Sequence, residues 1–306
     1  MAILSYANTA GQKPSIREAL IMNGVKTAPL VEMLKSKSIN SFVHSWLTDR
    51  YRDPKDNARL EISSVGETPK DTKKKTTNHC QIIINEIKVS KRAEDVAQYS
   101  GNELNRQIAK VGAEHIKDIE YAMLGLGQAD VFNAPVAMSD TTPAKMAGFF
   151  YFVPNTNKIN AAGAEFTLDE LHKLIEPVWK IGGIDNGNFK ILMGSLLKGK
   201  VNAWIKENNA LKIDVKDNKL DPRITRIATD FGEVDIVLHR LFAGDKLKDK
   251  VLLGNFDEAT LCYLRDTEIE NVSTDETATI KRYYTDVTLE VANADYFASG
   301  SGYKVN

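Results

Sequence analysis

Residues 78–120 read NHCQIIINEIKVSKRAEDVAQYSGNELNRQIAKVGAEHIKDIE, and the two halves of this stretch follow different periods. In the first half, Gln81–Val89 is rich in β-branched residues and suits a strand. In the second, Leu104, Ile108, Val111, Ile116, Ile119 and, just beyond, Met123 recur at spacings near three and four. Glu103, Arg106, Lys110, Glu114, Lys117 and Asp118 fill much of the remaining surface. The pattern predicts a helix over 93–125, roughly thirty residues and about 45 Å long. The mean globular helix has about 11–12 residues. So long a helix needs a neighbour along its whole length, either a sheet or another subunit. Gly101 and Gly112 weaken it locally.

N-terminal to this stretch, Ser41–Thr48 alternates, with Phe42, His44 and Trp46 on one side and Val43, Ser45 and Leu47 on the other. Pairing it with Gln81–Val89 makes a long hairpin across about thirty polar residues that include Asp53-Pro54, Gly66, Pro69 and Lys73-Lys74-Lys75. Loops of that length are usually functional or disordered. Residues 50–92 hold 11 Lys and Arg against 6 Asp and Glu, a local charge of +5. Residues 1–40 are broken by Gly11, Pro14, Gly24 and Pro29, with short helices expected at Ser15–Met22 and Leu30–Lys35. They read as an extended arm lying on something else, the alternative being a frayed terminus.

On the C-terminal side, 126–160 reads as loop and short strand around the aromatic cluster Phe149–Phe152. Thr167-Leu-Asp-Glu170 is a capping box for a helix over Leu168–Lys180, stopped by Gly182-Gly183. Phe189–Met193 reads as a buried strand and Leu196–Glu207 as a helix. Strands are expected at Val234–Leu238, Lys250–Leu253 and Ala259–Leu264, and at Thr285–Val291, which alternates. Residues 255–306 hold 10 Asp and Glu against 4 Lys and Arg, a local charge of -6. The fold class is α+β.

Composition excludes several classes. The chain has 306 residues, 42 % hydrophobic and 26 % charged, enough for two domains or one elaborate one. A net charge of -1 removes a global cationic field for nucleic acid or membrane. Two cysteines, Cys80 and Cys262, are too few for a disulfide scaffold or a cysteine-built zinc site, and suit a reducing compartment. The N-terminus lacks a basic start followed by an apolar stretch, so no secretory signal is read. Phe149–Val153, the most apolar short run, is far short of a bilayer span, and a soluble chain is expected.

Motifs of catalysis run out. Gly194-Ser-Leu-Leu-Lys-Gly199-Lys200-Val201 has the glycines and lysine of a phosphate loop, but Val201 stands where a metal-reaching Ser or Thr belongs. The five histidines, His44, His79, His115, His172 and His239, lie singly, without ligand spacing. No cofactor, metal or catalytic residue is assigned. Lys73, Lys74 and Lys75 read as a solvated loop tip or as a docking finger for an acidic surface or phosphates. What remains distinctive is architecture. Long arms and loops cost ordering entropy without burying a core, unless neighbouring subunits cover them.

This order of parts resembles the major capsid proteins of tailed bacteriophages, with the Hong Kong 97-type fold. The motifs are Asn78-His-Cys-Gln-Ile82, Lys88-Val-Ser90, Ser100-Gly-Asn-Glu-Leu104, Asp118-Ile-Glu120, Lys145-Met-Ala-Gly148 and Thr167–Leu171 with Trp179 and Gly182-Gly183. Thr229-Asp-Phe-Gly232, Leu241-Phe242 and Thr288–Asn293 continue the series. The resemblance covers roughly residues 25–303. It implies an N-terminal arm at 1–40, an extended β-loop at 41–90, a peripheral domain with a long spine helix at 91–160 and 246–306, and an axial domain at 161–245. It implies a structural protein and no enzyme. Copies would assemble into the pentamers and hexamers of an icosahedral head enclosing double-stranded DNA, with Lys73, Lys74 and Lys75 in intersubunit contact. Expected partners are further copies, a portal, scaffolding or decoration proteins and, non-specifically, packaged DNA, with no membrane. The expected place is the virion, and the host cytoplasm during assembly. The rivals are an encapsulin-like bacterial nanocompartment shell, a phosphate-loop enzyme and a generic α+β binding module.

Overall fold

The structure is a computed structural model. It describes residues 28–52, 54–62, 73–96, 102–184, 189–208 and 226–305. In chain order come α1 (Pro29–Met33), β1 (Lys35–Ser38), β2 (Val43–Thr48), β3 (Lys74–His79), β4 (Gln81–Ser90), α2 (Lys91–Asp95) and α3 (Glu103–Met123). α4 (Phe149–Phe152), β5 (Lys158–Asn160), α5 (Leu168–Trp179), β6 (Phe189–Met193) and α6 (Ser195–Asn208) follow. The rest is β7 (Arg226–Thr229), β8 (Gly232–Leu238), β9 (Val251–Asn255), β10 (Ala259–Val272), β11 (Ala278–Val291) and β12 (Phe297–Ser301). Mixed helix and sheet is as expected. The helix expected at Ser15–Met22, and Gly101, lie outside the described residues.

Three sheets organise the chain. A four-stranded sheet runs β1-β10-β11-β4, a six-stranded sheet β5-β12-β9-β6-β8-β7, and β2-β3 stands as a separate hairpin. The expected pairing of 41–48 with 81–89 does not occur. β2 pairs with β3, from Val43 opposite His79 to Thr48 opposite Lys74. β4 pairs instead with β11, from Gln81 opposite Val287 to Ser90 opposite Ala278. The reason lies in burial. Ile83 of β4 joins the core to which the alternating β11 offers Val287, Leu289 and Val291, and Ile87 and Val89 are buried further along the same face of β4.

The long helix is shorter than expected. α2 is a separate short turn of helix, capped when the Ala93 N–H donates to the Ser90 hydroxyl. α3 has 21 residues, about 31 Å. Asn102 opens it, its side chain accepting the Asn105 N–H at 3.0 Å. The neighbour it needs is the four-stranded sheet. His115 is fully buried there, 2.6 Å from Asn85 Oδ1 on β4 and 2.6 Å from the Thr285 hydroxyl on β11. Burial pushes the His115 pKa down, although nearby Asp118 opposes this, so the neutral ring is favoured.

The six-stranded sheet is a wall between two cores. Along β6, Ile191 and Met193 face one core and Leu192 the other; along β9, Val251 and Leu253 oppose Leu252. A strand buried on both faces has no polar alternate, which is why both read as plain apolar runs. One core gathers the end of α3, α4 and the inner faces of β10 and β11. The other gathers α5, the start of α6 and β8. The cluster Phe149–Phe152, expected within loop and strand, is the short helix α4. It forms because three of its rings are drawn into the first core, where Phe149 lies 5.6 Å from Phe256 and 5.7 Å from Phe297.

α3 ends against a tight backbone crossing. Gly125 adopts φ +72 and turns the chain, and Gly148 lies on it so closely that a Cβ at 148 would sit 2.4 Å from the Gly125 nitrogen. Both partners are backbone and cannot yield. We expect Gly148→Ala to cost about 3 kcal/mol, read as a lower urea midpoint of unfolding; an unchanged midpoint would refute the close crossing.

Candidate functional site

The extended hairpin β2-β3 leaves the body at a root built by Asn78. This residue is fully buried on β3. Its Nδ2 donates to the carbonyls of Leu289 at 2.8 Å and Ala147 at 3.3 Å. Its Oδ1 accepts the N–H groups of Ala147 at 2.9 Å and His79 at 3.0 Å. One amide thus ties the hairpin to the segment after α3 and to β11. Gln81 Oε1 adds an acceptor for the Met146 N–H at 3.2 Å, and the Cys80 N–H donates to the Phe42 carbonyl at 2.9 Å. The motifs at 78–82, 145–148 and 288–293, far apart in sequence, meet at this root.

The inner face of β2 is anchored twice more. Trp46 lies 5.5 Å from Phe152. His44 Nε2 lies 2.8 Å from Glu290 Oε2, where the Cys262 thiol also donates at 3.4 Å. Burial alone would raise Glu290, but hydrogen bonds from His44 and Cys262 and the charge of Lys37 hold its pKa below the ordinary range. Burial pushes the Cys80 and Cys262 thiols up to about 12, so neither is an activated nucleophile.

At the root Phe42 is 72 % exposed, and past β2 the chain is bare, with Tyr51 98 %, Leu60 83 % and Ile62 94 % exposed. Beside the root lies a groove of about 330 Å³ lined by Phe42, Ile82, Met138 and Pro143 among others. Apolar side chains this open, on one projecting segment, mark an interaction surface. Lys73, Lys74 and Lys75 stand at the outer end of the hairpin, all exposed, with Lys74 and Lys75 opening β3. Their backbone pairs with β2, Lys74 opposite Thr48 and Lys75 opposite Leu47, and among the described residues their ammonium groups make no ion pair. The sequence reading found these lysines but missed Asn78 as the clamp and the bare apolar residues as the surface. The signal available was an Asn set between a polar strand and the Ile-rich run.

The acidic C-terminal third is partly neutralised at home. Glu270 pairs with Arg265 and Arg282 at 2.6 Å each, Glu268 with Arg265 at 3.2 Å, and Glu276 with Lys88. Among the described residues, Asp266 and Asp275 make no ion pair. The outer part of β10, beyond Tyr263, has no strand on its free side among the described residues, and its charges guard that open edge.

The phosphate-loop reading is a plain strand–turn–helix joint. A Cβ on Gly194 would meet the Phe242 carbonyl oxygen at 2.5 Å, so this glycine serves packing. Val201 is fully buried in the second core, and Lys200 reaches Glu165 at 3.4 Å. His239 and Glu120 form a buried pair that ties α3 to the turn after β8, the ring accepting the Leu241 N–H on Nδ1 at 3.2 Å. His172 packs edge-on to Phe231 at 5.7 Å. Among the described residues no helix is long and apolar enough to cross a membrane.

Comparison with known proteins supplies the wider frame. The family described as "SU10 major capsid protein" matches residues 3–304. No curated protein matches the chain in sequence. Among solved structures, the capsid of a native GTA particle is similar at a TM-score of 0.67 and 13 % identity, covering 97 % of each chain. A Microbacterium phage Oxtober96 structure matches at 0.64 and 14 % identity, covering 98 % of this chain and 99 % of that one. The SrpI encapsulin of Synechococcus elongatus matches at 0.60 and 11 % identity, covering 100 % and 98 %. At these identities the likenesses show the fold alone, which is the expected Hong Kong 97-type.

Removing the clamp tests the root. In Asn78→Leu the Ala147 N–H and the Ala147 and Leu289 carbonyls lose their partner in a buried site, at about 3 kcal/mol together. Limited proteolysis between residues 43 and 79 should run at least about tenfold faster than in the parent. Equal rates would contradict the clamp.

Proposed function

The chain belongs to the SU10 major capsid protein family, and from that membership we propose how it builds a phage head. It is a structural protein of the virion shell and not an enzyme. Copies ring into pentamers and hexamers, and heterologous contacts close these into an icosahedral shell around double-stranded DNA. Assembly takes place in the host cytoplasm. The single observation that carries this reading is the hairpin, clamped at its root and bare beyond it. An isolated chain gains nothing from Phe42, Tyr51, Leu60 and Ile62 in water. A neighbouring copy buries them.

In this reading residues 1–40 are the arm and 41–90 the extended loop. Residues 91–160 with 246–306 are the peripheral domain, with α3 as its spine, and 161–245 the axial domain. The six-stranded sheet joins the last two, since β9 of the former pairs with β6 of the latter. Lys73, Lys74 and Lys75 contact an acidic surface on the adjacent subunit, for which the C-terminal third is the candidate. A portal, and scaffolding or decoration proteins, are further partners. Contact with packaged DNA runs through phosphates and is not sequence-specific. An encapsulin-like shell shares the fold and would enclose an enzyme; family membership favours the phage head.

Electron microscopy of the purified protein tests this directly, with shells, tubes or rings expected. Lys73→Glu, Lys74→Glu and Lys75→Glu combined should abolish or deform these assemblies. Exposed substitutions change folding stability by only about 0.5 kcal/mol, so the thermal midpoint should hold. Unchanged shells would overturn the loop contact.

A further inference from the structure

The root of the hairpin holds a cluster that the shell function does not use. His44 on β2, Cys262 on β10 and Glu290 on β11 present Nε2, Sγ and a carboxylate oxygen, all within 4.8 Å of one another. Cys262 lies opposite Thr288, and Glu290 opposite Thr260, so the two side chains share one face of the ribbon two positions apart. His44 reaches over that face from the hairpin, its ring 5.7 Å from the Trp46 ring. Nε2 to Oε2 is 2.8 Å and Sγ to Oε2 is 3.4 Å. The His44 and Glu290 side chains are each only 14 % exposed.

We infer that His44, Cys262 and Glu290 form a binding site for a zinc-class divalent cation that staples the extended hairpin to the β10-β11 ribbon. Imidazole, thiolate and carboxylate are the donor set of tetrahedral zinc, with a water completing the fourth position. Around such an ion the donor atoms stand about 3.3–3.7 Å apart. The Sγ–Oε2 separation of 3.4 Å already fits, the His44–Glu290 contact opens by about half an ångström, and Nε2 and Sγ, within 4.8 Å of each other, draw in to the same spacing.

The proton balance is simple. The Cys262 thiol loses its proton to solvent and binds as thiolate. The Nε2 proton that His44 shares with Glu290 also passes to solvent, and the ring binds through Nε2 with a proton on Nδ1. Nothing is oxidised or reduced. Lys37 Nζ, 3.8 Å from Glu290 Oε2, is the cation already facing the site. Its side chain is 57 % exposed and swings into water when the ion enters. The three ligands come from three strands, so occupancy fixes the hairpin to the sheet more firmly than the His44–Glu290 hydrogen bond alone. The inference stands apart from the capsid reading and does not need a neighbouring copy.

The test uses the full chain, stripped with a chelator, incubated with zinc chloride and passed through gel filtration. Bound zinc should be about one per chain. Cys262→Ser keeps a hydroxyl donor for Glu290 and should melt like the parent in chelator, yet hold at least about tenfold less zinc. Cys80→Ser should bind as the parent does. Zinc should raise the melting temperature of the parent and not of Cys262→Ser. Cobalt(II) in the parent should give a thiolate-to-metal charge-transfer band that Cys262→Ser lacks. Should Cys262→Ser misfold, His44→Gln, which keeps an amide donor toward Glu290, serves as the second variant with the same expected loss. A parent that retains no zinc, or a Cys262→Ser or His44→Gln variant that retains as much, overturns the site.

Discussion

The fold turns on the buried amide of Asn78. A polar side chain with no access to water must find partners, and here all four of its hydrogen bonds go to backbone. Those backbone groups belong to β3, to the segment leading into α4, and to β11. Once satisfied, the amide fixes where the hairpin departs and which way the strand continues into β4. The Gly125–Gly148 crossing follows beside it, because Ala147, held by Asn78, leaves its neighbour pressed on the end of α3. The root is rigid for reasons local to the chain.

What the root projects is unfinished on its own. The inner side of β2 is anchored through Trp46 and His44, while Phe42 and the segment through Tyr51, Leu60 and Ile62 remain open. Burying apolar surface releases about 25 cal/mol for each Å² removed from water, and none of that is gained until another surface arrives. The division of labour is therefore physical. Two cores on either side of one sheet supply stability, and in the proposed reading the projecting hairpin carries an association energy realised only between copies. Membership of a shell-forming family and an open, charged sheet edge at β10 agree with that division.

Much of the fold is legible in the sequence where one period dominates. The apolar runs at Phe189–Met193 and Val251–Leu253 are strands, the capping box at Thr167 opens α5, and Leu104 to Met123 is one helix. Legibility fails where tertiary contact decides. Nothing local tells Ser41–Thr48 to pair with Lys74–His79 and not with the more β-prone Gln81–Val89. The preference arises because Ile83 is claimed by a core that β11 completes some two hundred residues later, with Ile87 and Val89 buried on the same face. Phe149–Phe152 lies in a stretch that reads as loop and short strand, yet its rings are gathered with Phe256 and Phe297 and it forms a helical turn. The basic tip is visible as a charge run. The clamp is not, because an isolated Asn has no period.

Hydrogen–deuterium exchange of the same protein as free subunits and as assembled particles tests the central claim most directly. The account predicts that backbone amides of Lys55 to Ile62 exchange freely in the subunit and become protected in the particle. It predicts that amides at the root, around Asn78 and Ala147, are protected in both. Equal exchange of the outer hairpin in subunit and particle would contradict it, since the bare segment would then have no neighbour to bury it.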